Sequence, residues 1–170
     1  MSHAKNKVEW CLNKAEKELK EGDVHRGLIK INPDKEKALE HIRKAEHDLK
    51  GAVEFAEIGF SDWSASAFFY STYQCFLAIA VKFGYESGNQ ECTFALMYSL
   101  AEDKKIDIDK SLLDLVSSLD LQKPNQESTS VKIRERYQYG IDLSLDDKTY
   151  NELLSLCRKI LSKTKEIIEE

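Results

Sequence analysis

Two clusters of polar and aromatic side chains are the best candidates for chemistry in this 170-residue sequence. The later cluster lies in the segment VKIRERYQYG and consists of Lys132, Arg134, Arg136, Tyr137 and Tyr139. Guanidinium groups bind phosphate through paired hydrogen bonds, and aromatic rings can stack against a nucleobase. The alternative is structural, because arginine commonly pairs with nearby glutamates and tyrosine commonly fills the gap where a chain leaves a helix.

The earlier cluster is Tyr70, Tyr73 and Gln74, within an uncharged segment. If this segment is helical, Tyr70 lies beside both of the others, and their hydroxyl and amide groups are available for hydrogen bonds. The alternative is core packing in which the polar tips find partners. Both clusters are therefore candidate ligand-binding residues.

No catalytic residue or metal site is predicted. All four histidines fall within the first 47 residues, and none has a glutamate three residues before it, as a carboxylate di-iron bundle requires. No nucleophile elbow, phosphate-binding glycine loop or C-x-x-C pair is present. The cysteines lie far apart in sequence and are predicted to be reduced, mostly buried thiols: Cys11, Cys75, Cys92 and Cys157. No cofactor is expected.

Composition predicts one all-α domain. Gly (7) and Pro (2) are scarce, and Lys, Glu, Leu and Ala recur at helical spacing. The formal charge of -5 is spread along the chain, so it provides no global positive field for non-specific nucleic-acid binding. The N-terminal residues lack the apolar core of a signal peptide, which predicts a cytoplasmic protein.

The segment Trp63 to Val81 carries no charge and is about as long as a membrane span. Its serines, threonine and glutamine, and the lack of a second apolar segment, favour a helix buried in the protein or in an interface. A helix without a polar face is more than a small bundle readily hides, so we expect a homodimer.

Helical periodicity predicts an up-and-down bundle of five or six helices. A first helix runs from about Lys5 to Lys20, and residues 21–32 form an irregular connection. Asn32 and Pro33 begin a second helix with an alanine seam, which a short link joins to the uncharged helix capped by Ser61 and Asp62. Residues 34–84 are thus predicted to form an antiparallel helical hairpin that ends at Gly84.

The rest of the chain is predicted to pack against this hairpin. Asn89 and Asp109 begin two shorter helices, residues 122–130 form a flexible loop, and a last helix starts at Ser144. Residues 1–33 are then an N-terminal helix and connection, and residues 34–170 are the core of the same single domain.

Several segments in order resemble the HEPN domain, a helical module of prokaryotes associated with nucleotide and RNA metabolism. They are the hairpin KAEHDLKGAVEFAEIGFSDWSASAFFYSTYQCFLAIAVKFGYES, then NQECTFAL, then RERYQYG before a closing helix. The resemblance covers about residues 35–168, and HRGLIKINPDKE before it looks like the N-terminal extension of an archaeal branch. It implies a homodimer, often paired with a small nucleotidyltransferase in toxin–antitoxin-like systems.

Ribonuclease members of that family use an arginine and a later histidine with four to six residues between them, and cleave RNA without metal. Here no histidine follows Arg134 or Arg136, and Tyr139 stands where one would fall after Arg134. The tyrosine hydroxyl ordinarily has a pKa of about 10, so it is a poor base at neutral pH. Arg43 and His47 are closer together and lie on the hairpin's first helix, so they do not take over the role.

Three functions follow from these patterns. The first is a HEPN-like homodimeric module without the ribonuclease motif, binding a nucleotide, RNA or a nucleotidyltransferase. The second is a divergent metal-independent ribonuclease in which the arginines stabilise the cleaving phosphate. The third is a structural helical adaptor without a ligand.

Overall fold

A computed structural model describes residues 2–117 and 129–170. Within these ranges the chain is a helical bundle with one small antiparallel sheet, which confirms the predicted all-α class. The elements are α1 His3–Lys20, β1 Leu28–Lys30, α2 Lys35–Glu57, α3 Ser61–Lys82, β2 Tyr85–Ser87, α4 Gln90–Glu102, α5 Lys110–Val116, α6 Ser130–Tyr139 and α7 Asp147–Glu169.

The α2–α3 hairpin is the centre of the bundle, as predicted. Three alanines of the α2 seam, Ala38, Ala45 and Ala52, are fully buried, which lets the backbones of α2 and α3 approach closely. Two serine hydroxyls of α3 donate to α2 carbonyls: Ser71 Oγ to Ala45 O (2.7 Å) and Ser64 Oγ to Ala52 O (2.6 Å). Small side chains and satisfied hydroxyls therefore fix the register of the hairpin.

The uncharged helix α3 lies inside the monomer. It packs against α2, α4, α6 and α7, and large side chains such as Phe69 and Phe76 are fully buried. The expectation that one bundle cannot hide this helix is therefore wrong for most of its surface, because four helices surround it. Trp63 and Tyr70 are its exposed large side chains. No helix among the described residues is long and apolar enough to cross a membrane.

Two predicted helix starts are shifted. Asp34, not Asn32, caps α2: its Oδ1 accepts a hydrogen bond from the backbone N–H three residues later (2.9 Å). α3 begins at Ser61 itself, after Phe60, and has no side-chain cap. The Ser61 hydroxyl instead accepts from the backbone N–H of Leu145 (2.9 Å), because the connection between α6 and α7 passes over this end of the hairpin.

The segment after the predicted loop also differs from expectation. RERYQY belongs to a separate helix, α6, and Gly140 follows it as the C-cap. Thr129 is the N-cap of α6, so the described end of the loop predicted at 122–130 is the start of a helix. Residues 122–128 lie outside the described residues. The last helix begins at Asp147 rather than at Ser144, and Asp146 is its N-cap. Seven helices in the described ranges thus exceed the predicted five or six.

The connection predicted to be irregular contains β1, which pairs with β2 immediately after the hairpin. Leu28 pairs with Ser87 and Lys30 with Tyr85. Gly84 ends the hairpin as predicted, with a positive φ of 79°, and its carbonyl accepts from Ile31 N at 2.9 Å. The two three-residue strands were missed because so short a pairing leaves no periodicity in the sequence.

A disulfide joins Cys11 in α1 to Cys92 in α4. The prediction of four reduced thiols is therefore wrong for this pair and confirmed for the buried thiols Cys75 and Cys157. The two bonded cysteines are 81 residues apart, and only the packing of α1 on α4 brings them together.

We expect reduction of this disulfide to destabilise the fold. A cross-link that closes a loop of 81 residues restricts the unfolded chain, and in the chain-entropy model its loss lowers the free energy of unfolding by about 4 kcal/mol. Urea denaturation with and without dithiothreitol measures the difference. The double variant Cys11→Ala, Cys92→Ala should show no response to the reductant, and an equal response in both proteins would contradict the assignment.

Substitutions of Gly84 and Gly51 by alanine should have opposite effects on stability. At Gly84 an added Cβ would lie 2.9 Å from Ile31 O and the backbone has a positive φ, so Gly84→Ala should lower the free energy of unfolding by about 1–3 kcal/mol. At Gly51, within α2, an added Cβ meets nothing within 4 Å, so Gly51→Ala should raise it by about 0.5–1 kcal/mol. Thermal denaturation of both variants checks the opposite signs.

Candidate functional site

Packing of α6 on α3 brings one member of each predicted cluster together. The guanidinium carbon of Arg134 lies 4.6 Å from the centroid of the Phe69 ring and 5.9 Å from that of Tyr70. The two rings meet edge to face, with centroids 5.4 Å apart. A cation held over aromatic faces is attracted by their π electrons, so the aromatic side chains of α3 form a cation–π contact surface for this guanidinium.

Arg134 is buried, and the part of the chain that the structure describes gives it one long ion pair. Its side chain is 10% exposed, and its Nη2 lies 3.8 Å from Glu135 Oε1, too far for a hydrogen bond. Its buried Nε has no hydrogen-bond partner among the described residues. Burial of an incompletely paired charge costs roughly several kcal/mol of folding free energy, unless another group compensates for the lost hydration. The site is therefore suited to an anion that supplies the missing acceptors.

The other members of the later cluster do not join Arg134. Arg136 is exposed and its Nε donates to Asp142 Oδ2 (3.1 Å), which raises the pKa of the guanidinium. The half-buried Tyr137 ring lies beneath Arg136, 5.4 Å away, and packs on a small apolar cluster with Leu145. Tyr139 is 76% exposed. Lys132 is exposed and forms a 3.6 Å ion pair with Glu135.

Tyr73 belongs to the structural core. Its ring stacks on Phe69, with centroids 6.0 Å apart, and its hydroxyl lies 3.1 Å from the Thr93 hydroxyl. Burial raises the pKa of Tyr73. Thr93 in turn hydrogen-bonds Ser87 Oγ (2.8 Å), so Tyr73 links α3 to β2 and α4. For Tyr73 the structural alternative to ligand binding is therefore the right one: the ring packs in the core and its hydroxyl has a hydrogen-bond partner.

Tyr70 and Gln74 lie along the same side of α3, one turn apart. Gln74 Oε1 accepts a hydrogen bond from His41 Nδ1 of α2 at 2.7 Å. The partly exposed Leu77 continues this stripe after Gln74, seven residues from Tyr70. Tyr70 is thus the solvent-facing wall of the Arg134 site, and Gln74 and Leu77 extend the same surface away from it.

The remaining reactive side chains do not build a second centre. Burial raises the pKa of the Cys75 and Cys157 thiols, which makes them poor nucleophiles near neutral pH. No group of three or more His, Cys, Asp or Glu side chains in residues 2–117 and 129–170 is placed to hold a metal ion.

Sequence reasoning missed Phe69, the ring closest to Arg134. Phe69 is one of several aromatic residues in an uncharged helix, and no local signal separates it from its neighbours. Which ring meets the guanidinium depends on the rotation of α3 in the bundle and on where α6 crosses it.

No protein-family model matches this chain, and no curated protein matches it. The resemblance to the HEPN domain therefore stays a prediction.

We expect Arg134→Met to leave stability nearly unchanged. Methionine removes the cost of burying an unpaired charge but also the attraction to the Phe69 ring, so the free energy of unfolding should stay within about 1 kcal/mol of that of the native protein. Urea denaturation measures the change, and Arg158→Met on the exposed side of α7 is the matched control. A loss above about 2 kcal/mol would show that Arg134 is mainly a structural residue.

Proposed function

We propose that this chain is a HEPN-like binding module that holds a phosphate group of a nucleotide or RNA at Arg134. The main support for this proposal is the buried Arg134 guanidinium, which lies over Phe69. Its Nε has no hydrogen-bond partner among the described residues. In line with the family resemblance, the module acts as a homodimer and works beside a nucleotidyltransferase partner in a toxin–antitoxin-like pair.

Phosphate chemistry fits the Arg134 site. Guanidinium groups bind phosphate oxygens through short, charge-assisted hydrogen bonds, and each such bond is worth about 1.5–3 kcal/mol. The partly exposed Tyr70 beside Arg134 offers a face on which a base can stack. The overall charge of -5 does not oppose this, because a buried guanidinium acts locally and surface charges are screened over about 8 Å at physiological salt.

Binding is better supported than RNA cleavage. Cleavage needs a base close to the phosphate, and no histidine follows Arg134 in the sequence. Tyr139, which stands where the family's histidine would fall, extends into solvent, whereas Arg134 faces the interior. An arginine alone can hold and polarise a phosphate but cannot accept the proton of a ribose hydroxyl.

The proposed dimer uses the stripe of α3 formed by Tyr70, Gln74 and Leu77. This stripe carries no charge, and its spacing is that of one face of a helix. A second protomer that packs on Gln74 and Leu77 would lie beside Tyr70 and border the access to Arg134. The dimer would thereby place two phosphate sites near one shared surface.

Calorimetric titration with ATP and with a short single-stranded RNA tests the proposal. We expect saturable binding that Arg134→Met weakens by about tenfold or more, the equivalent of one charge-assisted interaction. Arg136→Ala, which removes an exposed and already paired guanidinium, should change the affinity much less. Arg158→Met on α7 serves as the charge-matched control.

Other outcomes separate the alternatives. Equal affinity in the native protein and in Arg134→Met would remove Arg134 from the proposal. RNA cleavage in EDTA that disappears in Arg134→Met would establish the ribonuclease instead. A protein that is monomeric by light scattering and binds neither ATP nor RNA would favour the third alternative, a structural helical adaptor.

A further inference from the structure

The α2–α3 turn presents a group of apolar side chains to solvent. Phe55, Ile58, Phe60 and Trp63 are all exposed there, Ile58 by 67% and Trp63 by 61%. The connection between α6 and α7 adds two more, Ile141 (96%) and Leu143 (81%). We call these six residues the tip surface. Monomeric proteins rarely leave so many large apolar side chains exposed in one region unless the region binds something.

Backbone and ring contacts hold the tip surface in place. The Phe55 and Trp63 rings lie against each other, with centroids 6.4 Å apart. Phe60 N donates to Phe55 O (2.7 Å) across the turn. The hydrogen bond from Leu145 N to Ser61 Oγ (2.9 Å) fastens the second segment to the start of α3, and Leu143 is two residues away, within about 7 Å along the chain.

The tip surface has an acidic border. Residues 51–81 contain Glu54, Glu57 and Asp62 and no Lys, Arg or His, and residues 140–147 contain three aspartates and again no basic residue. Two of these carboxylates are ion-paired: Glu54 with Lys50 of α2 (3.6 Å) and Asp142 with Arg136 of α6 (3.1 Å), so Glu57 and Asp62 carry the excess acidic charge beside the turn. Burial and the nearby Glu57 carboxylate raise the pKa of Tyr150, which places the start of α7 beside the same border.

We propose that the tip surface docks a protein partner whose apolar contact area is bordered by lysine and arginine side chains. The apolar side chains supply the contact area, and the acidic border selects the sign of the partner's charge. This interaction goes beyond the proposed phosphate site, which lies around Arg134 and requires the opposite charge.

The same border argues against other occupants. In a two-fold symmetric dimer the tip surface would face its own copy, and the acidic borders would repel each other. Anionic lipid headgroups and nucleic acid carry the same sign of charge as the border. A basic protein surface is complementary in both apolarity and charge.

Fluorescence anisotropy with a synthetic amphipathic helix of leucine and lysine tests the proposal on the full chain. We expect saturable binding that Ile58→Ser plus Phe60→Ser weakens about tenfold or more. Glu54→Gln plus Glu57→Gln should also weaken it, and added salt should have less effect on that variant than on the native protein. Val24→Ser and Glu9→Gln, exposed changes outside the tip surface, are the matched controls and should leave the affinity unchanged.

The proposal would be overturned by no binding of the peptide, by equal binding of the tip variants and the native protein, or by self-association that the tip variants abolish. Binding to vesicles of anionic phospholipid that is lost in Ile58→Ser plus Phe60→Ser would also overturn it, because the occupant would then be a membrane. Arg134→Met should bind the peptide normally, so this result and that for the phosphate site are independent.

Discussion

Close packing of α3 against α2 is the constraint on which the rest of the structure depends. Fully buried alanines let the two helices approach, and the hydroxyls of Ser64 and Ser71 donate to α2 carbonyls at the contact. Since α3 carries no charge between Asp62 and Lys82, its remaining sides can also be covered. Helices α4, α6 and α7 then pack around it, and every candidate residue is positioned relative to this helix.

The position of Arg134 follows from that arrangement. α6 must cover the aromatic side of α3, and it does so with a short helix that carries a guanidinium onto the Phe69 ring. The ring partly offsets the loss of water around the charge, but a π face accepts no conventional hydrogen bond as strong as that of a carboxylate or phosphate. Glu135, the adjacent carboxylate, approaches no closer than 3.8 Å. Within residues 2–117 and 129–170 the charge is therefore incompletely paired, and the proposed phosphate site rests on this feature.

The bundle separates two kinds of surface. Around Arg134, one buried cation and the partly exposed Tyr70 favour an anionic, aromatic ligand. At the α2–α3 turn, exposed Phe60 and Trp63 lie within an acidic border and favour a basic, apolar partner. Opposite charge preferences mean that the two ligands would not compete for the same place. Under the two proposals, the chain would bind a phosphate-bearing ligand while attached to another protein.

The sequence by itself determined the helical class, the hairpin at residues 34–84 and the role of Gly84. These features depend on periodicity, composition and turn residues, which act over a few neighbouring positions. Helix starts were less certain, because Asn32, Asp34, Ser144 and Asp146 all have side chains that can cap, and only the packing of each helix selects between them.

Tertiary structure alone decided the rest. The Cys11–Cys92 disulfide and the pairing of β1 with β2 join residues far apart in the chain, so no local pattern reveals them. Of the later cluster, Arg134 turned inward and Arg136 outward, although both are arginines two positions apart. Helical geometry separates such neighbours by about 200° around the axis, and the bundle determines which of the two directions is the interior.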